Sequence, residues 1–497
     1  MRYGRLVALV TLVAALAAAA APGTASAGGQ GESVGGPLHT DGRWFRDPLG
    51  RVVVLHGLFA VWKGEPFYPP DDAALPNGFT NADADRLAAL GFDAVRLAWF
   101  WRGLEPVKDG WDPAYLAGIA SVQQKLSRRG VFTVLDSHQD GFGDRFNGLG
   151  FPDYVTHDDG LAFDPGLGFP LNYFSPATQR AFDNFYADQG DAWRSYGRAW
   201  QHVARRLGRD PMLVGYDLMN EPWPGSAFGG CVPPAGCPEL DRTTLQPLFD
   251  SLARSIRAVD RHRPVFYEPH IFFNQGAVNG YVKPPRGTGP VGLSFHNQCP
   301  TRAQWQVTHD PTLVEKARTI CPPIETSVMR NAEATAARLG GPPLMTEVAA
   351  TTNDDFDGLN CLLERSERFM TGYTYGLSWR SGELRNLAEA KAEVIARVYP
   401  RAVAGTPVHY RFDVRTGRFV LVYVTRRGTR GPTVITVPRA LHYPEGYRVW
   451  TAGGRVVRQG GDRVVVENRR RAGVVAVVIE PPAGDATVRP ALLPCGG

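Results

Sequence analysis

The stretch Val214-Gly215-Tyr216-Asp217-Leu218-Met219-Asn220-Glu221-Pro222-Trp223 is apolar up to an abrupt polar end. Pro222 cannot continue a strand or a helix, so a carboxylate is set at the mouth of a buried strand. The same placement recurs along the chain: Arg96, His138 with Asp140, Asn220 with Glu221, Glu268, His296, Glu347 and Trp379 all stand at the ends of short apolar runs. This inventory fits scission of a glycosidic bond, which needs an acid to protonate the leaving oxygen and a second carboxylate to attack the sugar carbon or activate water on the opposite face. Glu221 and Glu347 are the candidate pair. The acid must hold its proton near working pH, and a Glu347 kept anionic by Arg96 is expected to push the pKa of Glu221 upward. Glu268 reads as a structural or supporting residue. His138 and His296 are candidates to orient hydroxyls or a carboxylate, and Trp379 to lie against the apolar face of a pyranose ring. None of this chemistry calls for a metal or a cofactor.

These residues need a scaffold that brings strand ends together. Arg51 to Leu58 is a β-branched run that reads as the first strand, followed by a long aromatic and proline-rich loop. A cadence of amphipathic helix, Gly turn and short apolar strand then begins. Asp83 to Leu90 leads to Ala94–Trp99, Ala114 to Arg129 leads to Val131–Asp136, Ala177 to Leu207 leads to the Glu221 strand, and Thr243 to Asp260 leads to Pro264–Glu268. Val291–His296 is the sixth strand, Pro343–Glu347 the seventh, and Tyr373 to Trp379 the eighth. Eight such units predict an α/β fold, a (β/α)8 TIM barrel, with Glu221 and Glu347 on opposite sides of the ring. An open doubly wound sheet is the alternative, but no Gly-x-Gly-x-x-Gly follows the first strand.

Past Tyr399-Pro400 helical periodicity stops, and short alternating strands separated by Gly turns predict a small C-terminal β-sandwich. At the other end, Arg2 and Arg5 precede the apolar run Leu6 to Ala21, and Ala25-Ser26-Ala27 offers a small-residue cleavage site. The expected organisation is a signal peptide over residues 1–27, a barrel over 28–400 and a sandwich over 401–497, with the mature protein secreted as a monomer. A membrane anchor is the competing reading of the leader, but the run is short and alanine-rich. Six cysteines in an exported chain permit disulfides. Cys231 and Cys237 bracket one loop, Cys299 and Cys321 another, and Cys361 and Cys495 remain; they read as three staples, although sequence alone does not choose among the pairings. A zinc site lacks the Cys-x-x-Cys and His spacing it would need. The net charge of +5 is small for 497 residues. Its Arg426-Arg427 and Arg469-Arg470-Arg471 clusters lack interleaved aromatics, so no nucleic-acid partner is expected.

Arg96, His138, Asn220-Glu221, His296, Glu347 and Trp379, in that order and at those strand ends, resemble glycoside hydrolase family 5. Ser137-His138-Gln139-Asp140, Asp217-Leu218-Met219-Asn220-Glu221-Pro222 and Leu344-Met345-Thr346-Glu347 look most like its endoglycoceramidases, which release the intact glycan of a glycosphingolipid from ceramide. The resemblance extends into the tail through Ala396 to Pro407. It implies that Glu221 is the acid/base and Glu347 the nucleophile of a retaining enzyme, and that Lys63, His138, Asp140, Asn220 and Trp379 contact the sugar nearest the lipid. The sequence departs from the pattern at Gln298, where the family usually has a tyrosine, and in the segment Arg380 to Leu384. Both departures bear on sugar identity, glucosyl against galactosyl, more than on the reaction. The loops Phe59 to Tyr68, Trp223 to Pro234 and Ile271 to Tyr281 carry aromatics and proline suited to an apolar groove, and transient contact with a lipid surface is expected. A secreted endo-β-glycanase acting on a polysaccharide is the alternative. A non-catalytic glycan-binding protein is another, but a binder needs neither carboxylate.

Overall fold

The computed structural model describes residues 31–348, 355–376 and 382–495, except 486 and 488. The expected signal peptide over residues 1–27 and the candidate Trp379 lie outside the described residues.

Eight parallel strands form a closed ring in chain order: β1 (His56–Ala60), β2 (Ala94–Trp99), β3 (Phe132–Ser137), β4 (Leu213–Asp217), β5 (Val265–Tyr267), β6 (Val291–Asn297), β7 (Pro343–Val348) and β8 (Gly372–Gly376). Tyr373 of β8 pairs with His56 of β1 and closes it. Every residue of β1 to β4 is buried, as expected of strands covered by side chains inside the ring and helices outside it. The close packing tolerates no extra atom at Gly215 of β4, where a Cβ would sit 2.2 Å from the carbonyl oxygen of Pro264.

The C-terminal strands form two antiparallel sheets. One of four strands runs in the order Gly405–Asp413, Arg418–Thr425, Val474–Glu480, Arg448–Ala452. The other has seven, and three of them come from the N-terminal side: His39–Asp41, Trp44–Arg46 and Val52–Val53 join Tyr399–Val403, Thr433–Thr436, Arg463–Asn468 and Gly454–Gly460. This corrects the assignment of residues 39–53 to the barrel. It also corrects the single strand expected over Arg51 to Leu58. Val52–Val53 pairs with Tyr399–Val403, and His56–Ala60 enters the barrel. Both halves are buried in sheets, so hydrophobicity does not mark the break. The helix expected over Ala177 to Leu207 is likewise two, Pro176–Tyr186 and Ala192–Leu207, broken where Asp188, Gly190 and Asp191 take left-handed φ of 59°, 68° and 58°.

One apolar cluster joins the two parts: Phe45, Val53, Ala402 and Val434 of the seven-stranded sheet pack with Ala94, Phe132 and Leu344 at the starts of barrel strands. Arg401 and Tyr399 add hydrogen bonds to the carbonyls of Gly130 and Gly91, in the loops that enter β3 and β2. The sandwich therefore plugs the N-terminal end of the barrel and leaves the C-terminal end to the loops. Disulfides join Cys231 to Cys237, Cys299 to Cys321 and Cys361 to Cys495.

The last of these closes a sequence separation of 134 residues and ties the helix after β7 to the C-terminal tail. Constraining the unfolded chain across so long a loop gives a stabilisation of about 2–4 kcal/mol. A Cys361→Ser/Cys495→Ser protein should unfold at clearly lower guanidinium concentration. An unchanged midpoint would remove this bond from the account of stability.

Candidate active site

Arg96 projects from β2 into the barrel interior with no exposure. Its Nε lies 2.9 Å from Asp217 Oδ2, its Nη2 3.0 Å from Asp136 Oδ1 and 3.3 Å from Glu268 Oε2, and its Nη1 3.6 Å from Glu347 Oε2. Nη2 also donates to Asn220 Oδ1 at 3.0 Å. One guanidinium thus faces carboxylates from four strands or strand ends. Burial works against its charge, but Asp136, Asp217 and Glu268 outweigh burial and hold the proton more tightly than usual.

Glu221 lies past the end of β4 with a left-handed φ of 39°. A side chain rarely adopts this conformation, and two groups hold it there. The Glu221 N–H donates to Glu268 Oε1 at 2.8 Å, and its carbonyl accepts from Gln139 Nε2 at 3.0 Å. In the carboxyl group, Oε1 is 2.8 Å from His296 Nδ1 and accepts from Asn274 Nδ2 at 3.0 Å. Burial pushes the pKa of Glu221 up to about 7, and the Asp140 charge adds to this against the opposing charges of His138, Arg96 and Lys63. The expectation that Glu347 raises it is corrected: burial and Asp140 are the leading causes, and the repulsion between the two carboxylates raises Glu347 instead.

Glu347 sits in β7 opposite His296 of β6, where the strand pairing shifts register between Met345 and Glu347. A bulge of this kind re-aims a side chain. Here it brings Glu347 Oε2 to 3.9 Å from His296 Nδ1, the same nitrogen that holds Glu221. The two carboxyl oxygens are therefore no further apart than the sum of those two distances. That is at or near the lower edge of the ~6.5–9.5 Å an inverting pair leaves for water. Burial raises the pKa of Glu347 and the neighbouring Glu221 charge adds to this, while His296 and Arg96 oppose the rise. Gln298 Nε2 reaches Glu347 Oε1 at 3.5 Å. His296 itself is neutral, pushed down to about 3 by burial.

On the β3 side, His138 Nδ1 is 2.9 Å from Asp136 Oδ2 and its Nε2 is 3.3 Å from Asp140 Oδ2, with Lys63 Nζ at 2.6 Å from the same oxygen. Burial opposes the charge on His138, but Asp136 and Asp140 raise its pKa to about 9. Burial likewise favours neutral Asp140, yet Lys63 and His138 hold its carboxyl well below the usual range. Lys63, His138 and Asp140 form a charged set beside the carboxylates, and Lys63 reaches over the ring of Phe169 at 5.9 Å. Asn220 is buried between Arg96 and the carbonyl of Gln139.

The structure thus brings together all the described candidates: Lys63, Arg96, His138, Asp140, Asn220, Glu221, His296, Gln298 and Glu347. Sequence reasoning missed Asn274, whose side chain bonds Glu221 Oε1 and the His296 N–H. It lies in a 3-10 turn after β5, where no periodicity marks it. Asp136 and Asp217 were also missed, although Asp136 shares strand phase with His138. The rim holds Trp223 against Tyr173, Phe174, Phe228 and Phe272, and the unforeseen loop before helix Pro176–Tyr186 exposes Phe169, Leu171 and Phe174.

Because Asp140 is the leading charge that raises Glu221, Asp140→Asn should move the titration of the Glu221 carboxyl below about 7. Carbon-13 NMR of glutamate-labelled protein reads this directly. An upward move would contradict the electrostatic account.

Residues 72–379 match the model of Cellulase (glycosyl hydrolase family 5), and residues 397–479 that of the Glycoside hydrolase family 5 C-terminal domain. The chain is 33% identical to Endoglycoceramidase I of Rhodococcus hoagii over 452 residues, covering 90% of this chain and 88% of that protein. Endo-glycoceramidase II from Rhodococcus sp. in its Ganglioside GM3 complex superposes with a TM-score of 0.74 at 26% identity, covering 89% of this chain and 100% of that one. The same protein as a lactosyl-enzyme intermediate gives 0.73 at 26% identity, with 88% and 100% covered. With the catalytic barrel and the following strands each matched in place, the chain belongs to glycoside hydrolase family 5.

Proposed function

We propose that this chain is a retaining glycosidase that cuts the β-glycosidic bond between the glycan and the ceramide of glycosphingolipids, with Glu221 as acid/base and Glu347 as nucleophile. The observation that carries the reaction is the shared imidazole nitrogen, with Glu221 at 2.8 Å and Glu347 at 3.9 Å. Glu347 attacks the anomeric carbon while the proton of Glu221 passes to the ceramide oxygen. The resulting Glu221 carboxylate then takes a proton from water, the water oxygen displaces Glu347, and both groups return to their starting states. A Glu221 pKa of about 7 suits a group that must give and take a proton near neutrality.

Lys63, His138, Asp140, Asn220 and Trp379 contact the sugar at the bond in this reading. Gln298 offers an amide to Glu347 where the resemblance expects a phenol, a departure that bears on which sugar is accepted beside the nucleophile. The lipid reading is supported by the similarity to endoglycoceramidases and by the rim. Phe169, Leu171 and Phe174 are 60%, 58% and 48% exposed, and Lys63 reaches over the Phe169 ring. Each acyl methylene buried there contributes about 0.8 kcal/mol, so a few contacts separate a lipid aglycone from a soluble one. The same patch is the surface for transient contact with lipid. Export through the signal peptide, with cleavage after Ala27, and a monomeric state complete the reading, as does a division of labour near residue 400 between a catalytic barrel and a supporting sandwich.

Thin-layer chromatography of products from glucosyl- and galactosyl-linked glycosphingolipids, beside carboxymethylcellulose and mannan, tests the substrate. Intact oligosaccharide and ceramide should appear from at least one lipid with the polymers untouched. Cleavage of a polymer with both lipids intact would make the chain an endo-β-glycanase instead. For the roles, Glu221→Ala should keep activity on a dinitrophenyl glycoside, with further rescue by azide, while Glu347→Ala should lose it on every substrate. Identical behaviour of the two variants would overturn the assignment.

A further inference from the structure

Glu268 follows β5 and is buried without exposure, and its two oxygens face different neighbours. Oε2 faces donors, with Arg96 Nη2 at 3.3 Å and Ser294 Oγ at 3.4 Å. Oε1 accepts the N–H of Glu221 at 2.8 Å and stands 3.4 Å from His296 Nε2, an atom with no hydrogen-bond partner among the described residues. The other nitrogen of that imidazole touches Glu221 Oε1. Glu268 therefore meets the proposed acid/base at both ends, through its backbone and through His296.

A charge count assigns the proton. Arg96 is one cation facing the wholly buried carboxyl groups of Asp136, Asp217 and Glu268, with Glu221 and Glu347 close by. Even with the charge of His138 beside Asp136, two positive charges cannot neutralise so many buried negative ones, so some of these groups remain protonated. Asp136 is already bonded to both Arg96 and His138, and Asp217 accepts from both Arg96 and Ser294. Of these three, and among the described residues, Glu268 is the one beside an imidazole nitrogen without a hydrogen-bond partner, whereas Asp217 Oδ1 has no such acceptor within hydrogen-bonding reach. Burial, then the neighbouring Asp217, pushes its pKa well above the ordinary value.

Building on the assignment of Glu221 as acid/base, we propose that Glu268 is a positioning residue: protonated, it donates from Oε1 to His296 Nε2, fixes the imidazole hydrogen on Nδ1, and thereby forces the transferable proton of Glu221 onto Oε2. With Nδ1–H and the Asn274 amide both donating to Oε1, that oxygen has no room for a proton of its own. When Glu221 gives its proton to the leaving oxygen, Nδ1–H stays on His296 and steadies the new carboxylate. Without the Glu268 donor the imidazole can turn its Nδ1 lone pair to Glu221, and the proton settles on the oxygen already committed to His296.

Glu268→Gln separates this role from simple packing, because a single atom, Oε1, both accepts from Glu221 and donates to His296. An amide supplies only one of the two: its oxygen there keeps the first contact and loses the second, and its nitrogen there keeps the second and loses the first. The His296 tautomer, read by nitrogen-15 NMR in the variant, distinguishes these. The test uses the full chain and two aryl β-glycosides of one glycan, carrying either dinitrophenolate or an unactivated phenol. For the unactivated phenol, kcat/KM should fall roughly 10- to 100-fold, part of the ~10²–10⁴-fold that general acid catalysis supplies. The fall with dinitrophenolate should be at least about tenfold smaller, since that leaving group needs little protonation. The basic limb of the pH profile should also move to higher pH, because the Glu221 carboxylate has lost a donor. Equal falls on both substrates, no fall, or an unmoved basic limb would overturn the proposal. Glu221→Ala run alongside keeps the two claims apart: if it shows no leaving-group dependence, the acid/base assignment itself fails. Should Glu268→Gln not fold, nitrogen-15 NMR of the unaltered protein decides. Protonated Nδ1 with bare Nε2 at His296 is expected, and the opposite tautomer or an imidazolium would overturn the proposal.

Discussion

The site depends on Arg96. A guanidinium with no exposure, ringed by Asp136, Asp217, Glu268 and Glu347, fixes the ends of β2, β3, β4, β5 and β7 around one point, and Asn220 joins through its carbonyl oxygen. Because one cation serves several carboxyl groups, their protonation states are not independent. The surplus negative charge is removed by holding protons, and the geometry decides which groups hold them. Burial raises both Glu221 and Glu347 and Arg96 opposes both rises; Asp140 adds to the rise at Glu221, and Glu221 itself adds to the rise at Glu347. Two chemically identical side chains thus stand in different surroundings, which is what a division of tasks between them would need.

That arrangement needs a rigid frame at one end of the barrel and freedom at the other. The seven-stranded sheet supplies the frame by packing Phe45, Val53, Ala402 and Val434 against the starts of barrel strands. It is completed only when residues from before the barrel pair with residues from after it. The chain ends of the barrel are thus tied together, and Cys361–Cys495 adds a covalent tie between its last helices and the tail. The opposite end carries loops with Trp223, Tyr173 and the exposed Phe169, where a bulky, partly apolar substrate can be met.

Much of this was legible in the sequence, for a physical reason: strands buried on both faces read as apolar runs, and their last residues are where the polar groups begin. Glu221, Glu347, His296, His138 and Arg96 are visible that way. The break between Val53 and His56 was not, because a strand buried in a sandwich and one buried in a barrel have the same apolar texture. Asn274 was hidden because a loop residue that reaches a site by a turn leaves no period. The cause of the Glu221 shift was misjudged for a related reason. Strand order places Glu347 across the ring, but only the packed loop after β3 makes Asp140 the leading charge on Glu221.

The central claim is that Glu347 bonds to the sugar while Glu221 manages the proton. Peptide mapping by mass spectrometry, after inactivation with a 2-deoxy-2-fluoro glycoside carrying a good leaving group, reads it most directly. The account predicts one glycosyl adduct per chain, on the peptide containing Leu344-Met345-Thr346-Glu347 and located at Glu347. An adduct at Glu221, or turnover of the reagent with no adduct formed on any carboxylate, would contradict it.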